Sequence, residues 1–162
     1  LDFRVGRIVS CHLHPDADSL YVEQIDLGEA ELRTIVSGLV KYVPLELMQG
    51  RMVVVIANLK PRNMRGVKSA GMVLAASDDP KTTVVPLTPP PGAAVGERLW
   101  LGDERDQPAP AAPNAVEKKK LWEQVVPGLR TDSRGVATWH GLPLQTSLGP
   151  ATAVPLPSCR IA

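Results

Sequence analysis

The 162 residues, 44% of them hydrophobic, suffice for one domain with a real core or for a domain plus a substantial extension. The 18 basic and 17 acidic side chains nearly cancel, to a net charge of +1, which excludes a general polycation. Two cysteines, Cys11 and Cys159, are too few for the disulfide framework of a small secreted domain, and no apolar run reaches the roughly 18–20 residues of a membrane helix.

Residues 1–25 lack the basic, apolar and small-residue order of a signal peptide, so a soluble, cytoplasmic chain with free thiols is expected. The start at Leu1 rather than Met suggests a piece of something longer. Charge is unevenly placed. Residues 51–77 hold five basic and no acidic side chains, against four and eight in residues 1–50, three and seven in 78–117, and six and two in 118–162. That alternation is the pattern of a localised electrostatic footprint, although a solvated charged face gives the same count.

The predicted elements begin with strands. RVGRIVSCHL (4–13), LYVEQIDL (20–27) and LRTIVSGL (32–39) alternate and are rich in β-branched residues. Between them, HPDADS reads as a turn in which Asp and Ser bond to the backbone. VPLELMQG offers Pro44 at a helix start, Glu46 in its first turn and Gly50 as a stop, so one or two helical turns are expected there. RMVVVIANL (51–59) is the most apolar run and suits a strand buried on both sides. GMVLAAS (71–77) and GERLWLG (96–102) are the remaining strands of the first half. About five strands with a short helix between the third and fourth is the order of an OB-fold barrel, assigned to residues 1–102.

Composition then changes. Seven of the sixteen prolines fall between Pro86 and Pro113, and residues 103–114 read as a Pro/Ala-rich connector. Beyond it, EKKKLWEQVV places Leu121, Trp122, Val125 and Val126 on one helical stripe, and GVATWHG and LPLQTSL read as strands. Residues 115–162 are therefore expected to form a smaller α+β extension, with Leu121 and Trp122 docking and the lysines at the surface.

Three stretches, HPDADSLYVEQIDLGEAELRTIVSGLV, NLKPRNMRGVKSAGM and KKKLWEQVVPGL, closely resemble the tRNA-binding domain of the endothelial monocyte-activating polypeptide II family, which also forms the C-terminal domain of some eukaryotic tyrosyl-tRNA synthetases and of multisynthetase-complex auxiliary proteins. The resemblance runs from Leu1 to about Leu148. It implies an all-β OB barrel with an extension packed on it as a built-in substitute for a second subunit, hence a monomer. It also implies a non-enzymatic appendix that delivers or retains tRNA for a linked or associated aminoacyl-tRNA synthetase; from the residues themselves no cofactor and no metal are expected.

A module for many tRNAs must use phosphates and 2′-hydroxyls, the groups common to all of them. Lys60, Arg62, Arg65 and Lys68 supply charge on a turn leaving the buried strand, shaped by Pro61 and Gly66, with Arg51 just upstream. Asn58 and Ser69 can hydrogen-bond to backbone or sugar, and Met72 offers an apolar contact. The family's RNA surface includes the serine and methionine matching Ser69 and Met72. The plainer uses are Met72 as a core side chain and Asn58 as a loop-stabilising hydrogen bonder. Lys118, Lys119 and Lys120 form a secondary candidate contact. With few aromatics, extensive base stacking is not expected, and Tyr21 is read as packed.

Cys11, His12, His14, Asp16 and Asp18 could suggest a metal or nucleophile cluster, but neighbours on a strand face opposite ways. The family includes cytokine fragments released by proteolysis, and Arg4, Val5, Gly6, Arg7, Ile8, Val9 and Ser10 match the segment linked to that activity. Glu31–Arg33 resembles a chemokine tripeptide within a strand. A pure assembly module of a synthetase complex is the third class.

Overall fold

The computed structural model describes residues 1–103 and 105–162. Five strands make the first sheet: β1 (Phe3–His14), β2 (Ala17–Asp26), β3 (Arg33–Ser37), β4 (Met52–Ile56) and a short later strand at Met72–Val73, in the order β3-β2-β1-β4 and then Met72–Val73. All neighbours are antiparallel. The connection after β3 carries α1 (Leu45–Met48), a single turn begun by Pro44, whose Met48 is fully buried in the barrel.

Strand β4 explains its own composition. Side chains alternate across a strand, so Val53 and Val55 enter the barrel core with Ile8, Ile25 and Ile35. Val54 and Ile56 enter a second core with Phe3, Leu74 and Leu99. A run of apolar residues without alternation is what a strand between two cores requires. The expectation of burial on both sides is met.

After β4 comes a hairpin read from sequence only as a turn, β5 (Arg62–Met64) and β6 (Val67–Ser69). The strand expected over 71–77 is then split into β7 (Met72–Val73) and β8 (Ala75–Ser77). The reason is a change of sheet at Leu74. Strand β7 pairs with β4, whereas β8 pairs with β9 (Val84–Pro86) and with the last strand of the chain. Leu74 itself is fully buried in the second core. The strand expected over 96–102 shortens to β10 (Trp100–Leu101).

The single helix expected over the EKKKLWEQVV stretch is also two, α2 (Pro113–Lys118) and α3 (Leu121–Val125), parted by Lys120 in the left-handed region at φ 51°. Strands β11 (Leu129–Thr131), β12 (Ala137–Trp139), β13 (Leu142–Thr146), β14 (Gly149–Pro150) and β15 (Arg160–Ile161) follow. Their sheet runs β10-β13-β12-β11-β15-β8-β9, with β14 beside β13. The extension is therefore more than packed on the barrel, because β15 bonds to β8 and β13 to β10. Leu129, Ala137, Leu144, Ala151 and Ile161 complete the second core.

Residues 105–112 carry no regular structure; Glu104, within the expected connector, lies outside the described residues. Two bonds pin the segment to the barrel, Asn58 Nδ2 donating to Ala111 O at 3.0 Å and an Arg98 guanidinium N–H donating to Pro108 O at 2.7 Å. Among the described residues no helix is long and apolar enough to cross a membrane.

Candidate nucleic-acid interface

The hairpin β5–β6 turns through Arg65 and Gly66, both at positive φ, 56° and 95°. Two successive positive values make a type I′ turn, which fits the right-handed twist of the flanking strands. Asn63 Oδ1 accepts the Gly66 N–H at 2.7 Å and closes it. Asn-Gly is the usual pair at such a turn; here Arg occupies the first position, which hides the turn from a sequence reading. A non-glycine residue held left-handed costs about 1–2 kcal/mol, and strain of this kind gathers at functional sites.

Cross-strand register distributes the charges. Arg62 pairs with Ser69 and Met64 with Val67, while Asn63 pairs with Lys68. Residues opposite one another share a face. Arg62 thus lies on the face that carries Met64 and Ser69, Lys68 lies on the reverse face, and Arg65 stands at the tip. All three are exposed and free of any acidic partner among the described residues. Lys60, at the base, is different. Its Nζ lies 3.1 Å from Glu117 Oε2 on α2.

The hairpin is anchored to the β1–β2 turn by His14, which is buried. His14 Nδ1 accepts the Asp16 N–H at 2.9 Å. The proton therefore sits on Nε2, which donates to Met64 O at 2.9 Å. The turn expected to be held by Asp and Ser is held here by a histidine. An Arg65 guanidinium N–H reaches Asp16 O at 3.3 Å.

Other candidates turn inward. Ser69 is 4% exposed; its hydroxyl accepts the Val36 N–H at 2.9 Å and donates to Gly71 O at 3.1 Å. It stitches the hairpin to β3: of the two partners open to it, backbone and sugar, the hydroxyl takes backbone here. Asn58 is 6% exposed, and its Oδ1 accepts the Asp2 N–H at 2.9 Å while its amide holds Ala111. Of its two readings, the structural hydrogen bonder describes the geometry. Arg51 lies at the other end of β4 from Lys60; its Nε is buried without a partner among the described residues, and burial pulls the guanidinium below its ordinary value. The structure does not bring it to the hairpin. Met72 is half-buried, packed on the second core with one side free.

Lys118, Lys119 and Lys120 are exposed around the break between α2 and α3. Missed from sequence was Lys81, which shares a cavity with Lys60, Arg62 and Met72. Its position in the acidic third zone concealed it. Asp78 closes its loop, Oδ1 accepting the Thr82 and Thr83 N–H groups at 2.8 Å. The Thr82 hydroxyl, donating to Oδ2 at 2.7 Å, and then these backbone bonds hold the Asp78 carboxyl below its ordinary value, at about 2.

The rival clusters disperse. Cys11 is buried, and burial followed by the neighbouring Glu23 pushes its thiol up to about 12, which makes a poor nucleophile. His12 is exposed on the opposite face. Among the described residues no group of three or more His, Cys, Asp or Glu could hold a metal ion. Arg4–Ser10 lies in the first part of β1, paired with β4 over Arg4–Arg7 and with β2 from Arg7 onward, with Val5 and Ile8 fully buried. Arg33 is committed to Glu29 at 2.7 Å and to the carbonyls of Ala57 and Ala70. Tyr21 is packed, its hydroxyl donating to Val43 O at 2.7 Å.

A family model described as "Putative tRNA binding domain" matches residues 3–98. The chain is 50% identical over 145 residues to mouse (Mus musculus) "Aminoacyl tRNA synthase complex-interacting multifunctional protein 1", covering 90% of this chain and 45% of that protein. It is 51% identical over 149 residues to a "Probable methionine--tRNA ligase" of rice (Oryza sativa subsp. japonica), covering 92% of this chain and 18% of that one. The chain thus spans less than half the length of these relatives. In structure it is similar to the C-terminal domain of Plasmodium vivax p43, with a TM-score of 0.92 at 34% identity, covering 100% of this chain and 96% of that one.

Proposed function

We propose, from the premise that the chain belongs to the "Putative tRNA binding domain" family, that it is a cytoplasmic tRNA-binding appendix without catalytic activity, one that retains or delivers tRNA for a linked or associated aminoacyl-tRNA synthetase. The observation that carries this reading is the hairpin finger. Arg62, Arg65 and Lys68 point to its two faces and its tip, all exposed and with no acidic partner among the described residues. They are carried on a rigid barrel, and one of them is held in a strained backbone conformation.

Such a finger recognises phosphates placed around it, not a base sequence, because three cations facing three directions suit a folded polyanion. Binding then raises the local concentration of tRNA at the catalytic domain by tethering. The extension, by filling the second core, serves as a substitute for another copy of the barrel and keeps the chain monomeric.

A salt series tests the reading. With Arg62, Arg65, Lys68 and a released Lys60 each neutralising a phosphate, log Kd against log salt has a slope of magnitude about 3–4. Different tRNAs give similar slopes. Arg62→Ala lowers affinity for all of them and reduces the slope by about one, whereas Lys118→Ala has a smaller effect. Equal, small losses at every basic residue would instead show a merely solvated face.

A further inference from the structure

A groove of about 660 Å³ runs between the basic hairpin and the two helices of the extension, within the roughly 300–1,000 Å³ of pockets that hold small organic ligands. Its floor is apolar. Leu59, Met72 and Trp122 are half-buried, pack one side on the second core and line the groove with the other.

The two walls carry opposite charge. Lys60, Arg62 and Lys81 stand on the barrel side, and Glu117 and Glu123 on the helix side. Lys81 is steadied with its Nζ 5.6 Å from the centre of the Tyr42 ring. The walls touch at the Lys60–Glu117 pair, 3.1 Å apart, and that pair is exposed on both sides, so it exchanges partners at little cost.

A simple anion fits the cationic wall but meets two glutamates. An apolar ligand fits the floor and leaves both walls unused. An unpaired nucleotide matches all three surfaces, with a phosphate at one end, a flat π-face in the middle and amino donors on the edge of adenine, cytosine or guanine. We propose that this groove takes one unstacked nucleotide of the bound RNA. Its phosphate meets Lys60, Arg62 and Lys81, its base lies against Trp122 and Met72, and its amino edge faces Glu117 and Glu123. The arriving phosphate takes Lys60 from Glu117, which frees that carboxylate to accept from the base. The proposal rests on the RNA-binding reading above and adds to it a site at which a base is contacted.

The test uses the full chain and labelled RNA hairpins that differ in a single bulged nucleotide, measured by anisotropy. A hairpin with a bulged cytosine binds about tenfold more tightly than the fully paired hairpin, the size of one aromatic–base stack. A bulged uracil, which has no exocyclic amine, gains less. Trp122→Leu, which keeps apolar bulk over the core but removes the large aromatic face, abolishes the gain and leaves the paired hairpin within about twofold of its original affinity. Should Trp122→Leu lower the melting temperature, Glu123→Gln supplies the readout, since replacing a charged acceptor by a neutral one reduces the preference for cytosine over uracil without touching the core.

Equal binding of bulged and paired hairpins by the unsubstituted chain would overturn the nucleotide site and leave the phosphate-binding finger standing. A bulge preference that survives Trp122→Leu, or a cytosine preference unchanged in Glu123→Gln, would overturn its assignment to this groove. Failure to bind any hairpin or tRNA would sink the underlying reading, and the site with it.

Discussion

Lys60 Nζ and Glu117 Oε2 meet at 3.1 Å, joining the loop that enters the basic hairpin to the first helix of the extension. An acid from α2 thus moderates a cation that the local sequence, five basic residues without an acid, presents as free. The pair is more than half exposed on both sides, so its own stability is small, about 0–1 kcal/mol. Its consequence is for the ligand, since an incoming phosphate must compete with a carboxylate. Glu117→Gln is expected to raise affinity for a fully paired RNA hairpin by about two- to fivefold and to leave the melting temperature nearly unchanged. Unchanged affinity in a titration at low salt would show that Lys60 makes no phosphate contact.

Arg65 trades stability for charge. At φ 56° beside Gly66, Arg65→Asn gives the pair that type I′ turns prefer. The variant is expected to be more stable by about 0.5–1 kcal/mol in denaturant unfolding. It should bind every tRNA more weakly, with the salt slope reduced by about one. A variant that is both less stable and unchanged in binding would remove the argument from strain.

Glu23 sets a pH dependence. It is fully buried in the barrel, accepts the Ser37 hydroxyl through Oε1, and leaves Oε2 without a partner among the described residues. Burial pushes its carboxyl up to about 8, against the lowering effect of the Ser37 hydrogen bond. A folded-state value raised above the unfolded one gives a contribution fully present below the unfolded value and lost as pH rises through the folded one. Stability from this group should therefore fall between roughly pH 4.5 and 8, by up to about 5 kcal/mol. Glu23→Gln should flatten that part of the profile and be relatively more stable at pH 8. Parallel profiles for the two proteins, by thermal or urea unfolding, would contradict this.

Removing the extension should expose the second core. A chain ending at Gly102 loses Leu129, Ala137, Leu144 and Ile161 from the packing around Leu74 and Val54, and strands β8 and β10 lose their partners β15 and β13. Uncovered apolar area and open strand edges favour association. Sedimentation or light scattering should show dimers or larger species. A truncated chain that stays monomeric and equally stable would mean that the extension is no substitute for a second subunit.

Much of the architecture was legible because local chemistry and global burial agree. Residues 4–13, 20–27 and 32–39 alternate because one face of each strand lines the barrel, and Pro44, Glu46 and Gly50 frame a helix that does form. The charge zone at 51–77 contains the whole of the β5–β6 hairpin. Less visible was anything decided by contacts distant in the chain. The sheet switch at Leu74 and the pairing of β15 with β8 join residues about eighty positions apart, and no local pattern encodes them.

The same division runs through the site. The sequence by itself determined that a cluster of unopposed cations would leave a doubly buried strand, since residue type and spacing suffice for charge and for burial of an apolar run. Only the tertiary structure decided which of those residues are available. Arg51 was carried to the far end of β4, Asn58 and Ser69 were turned inward to satisfy backbone groups, Lys60 was met by Glu117, and Lys81 was brought in from an acidic segment. The physical reason is that hydrogen bonding and ion pairing depend on three-dimensional proximity. A polar side chain near a core is claimed first by whichever unsatisfied backbone group the fold places beside it.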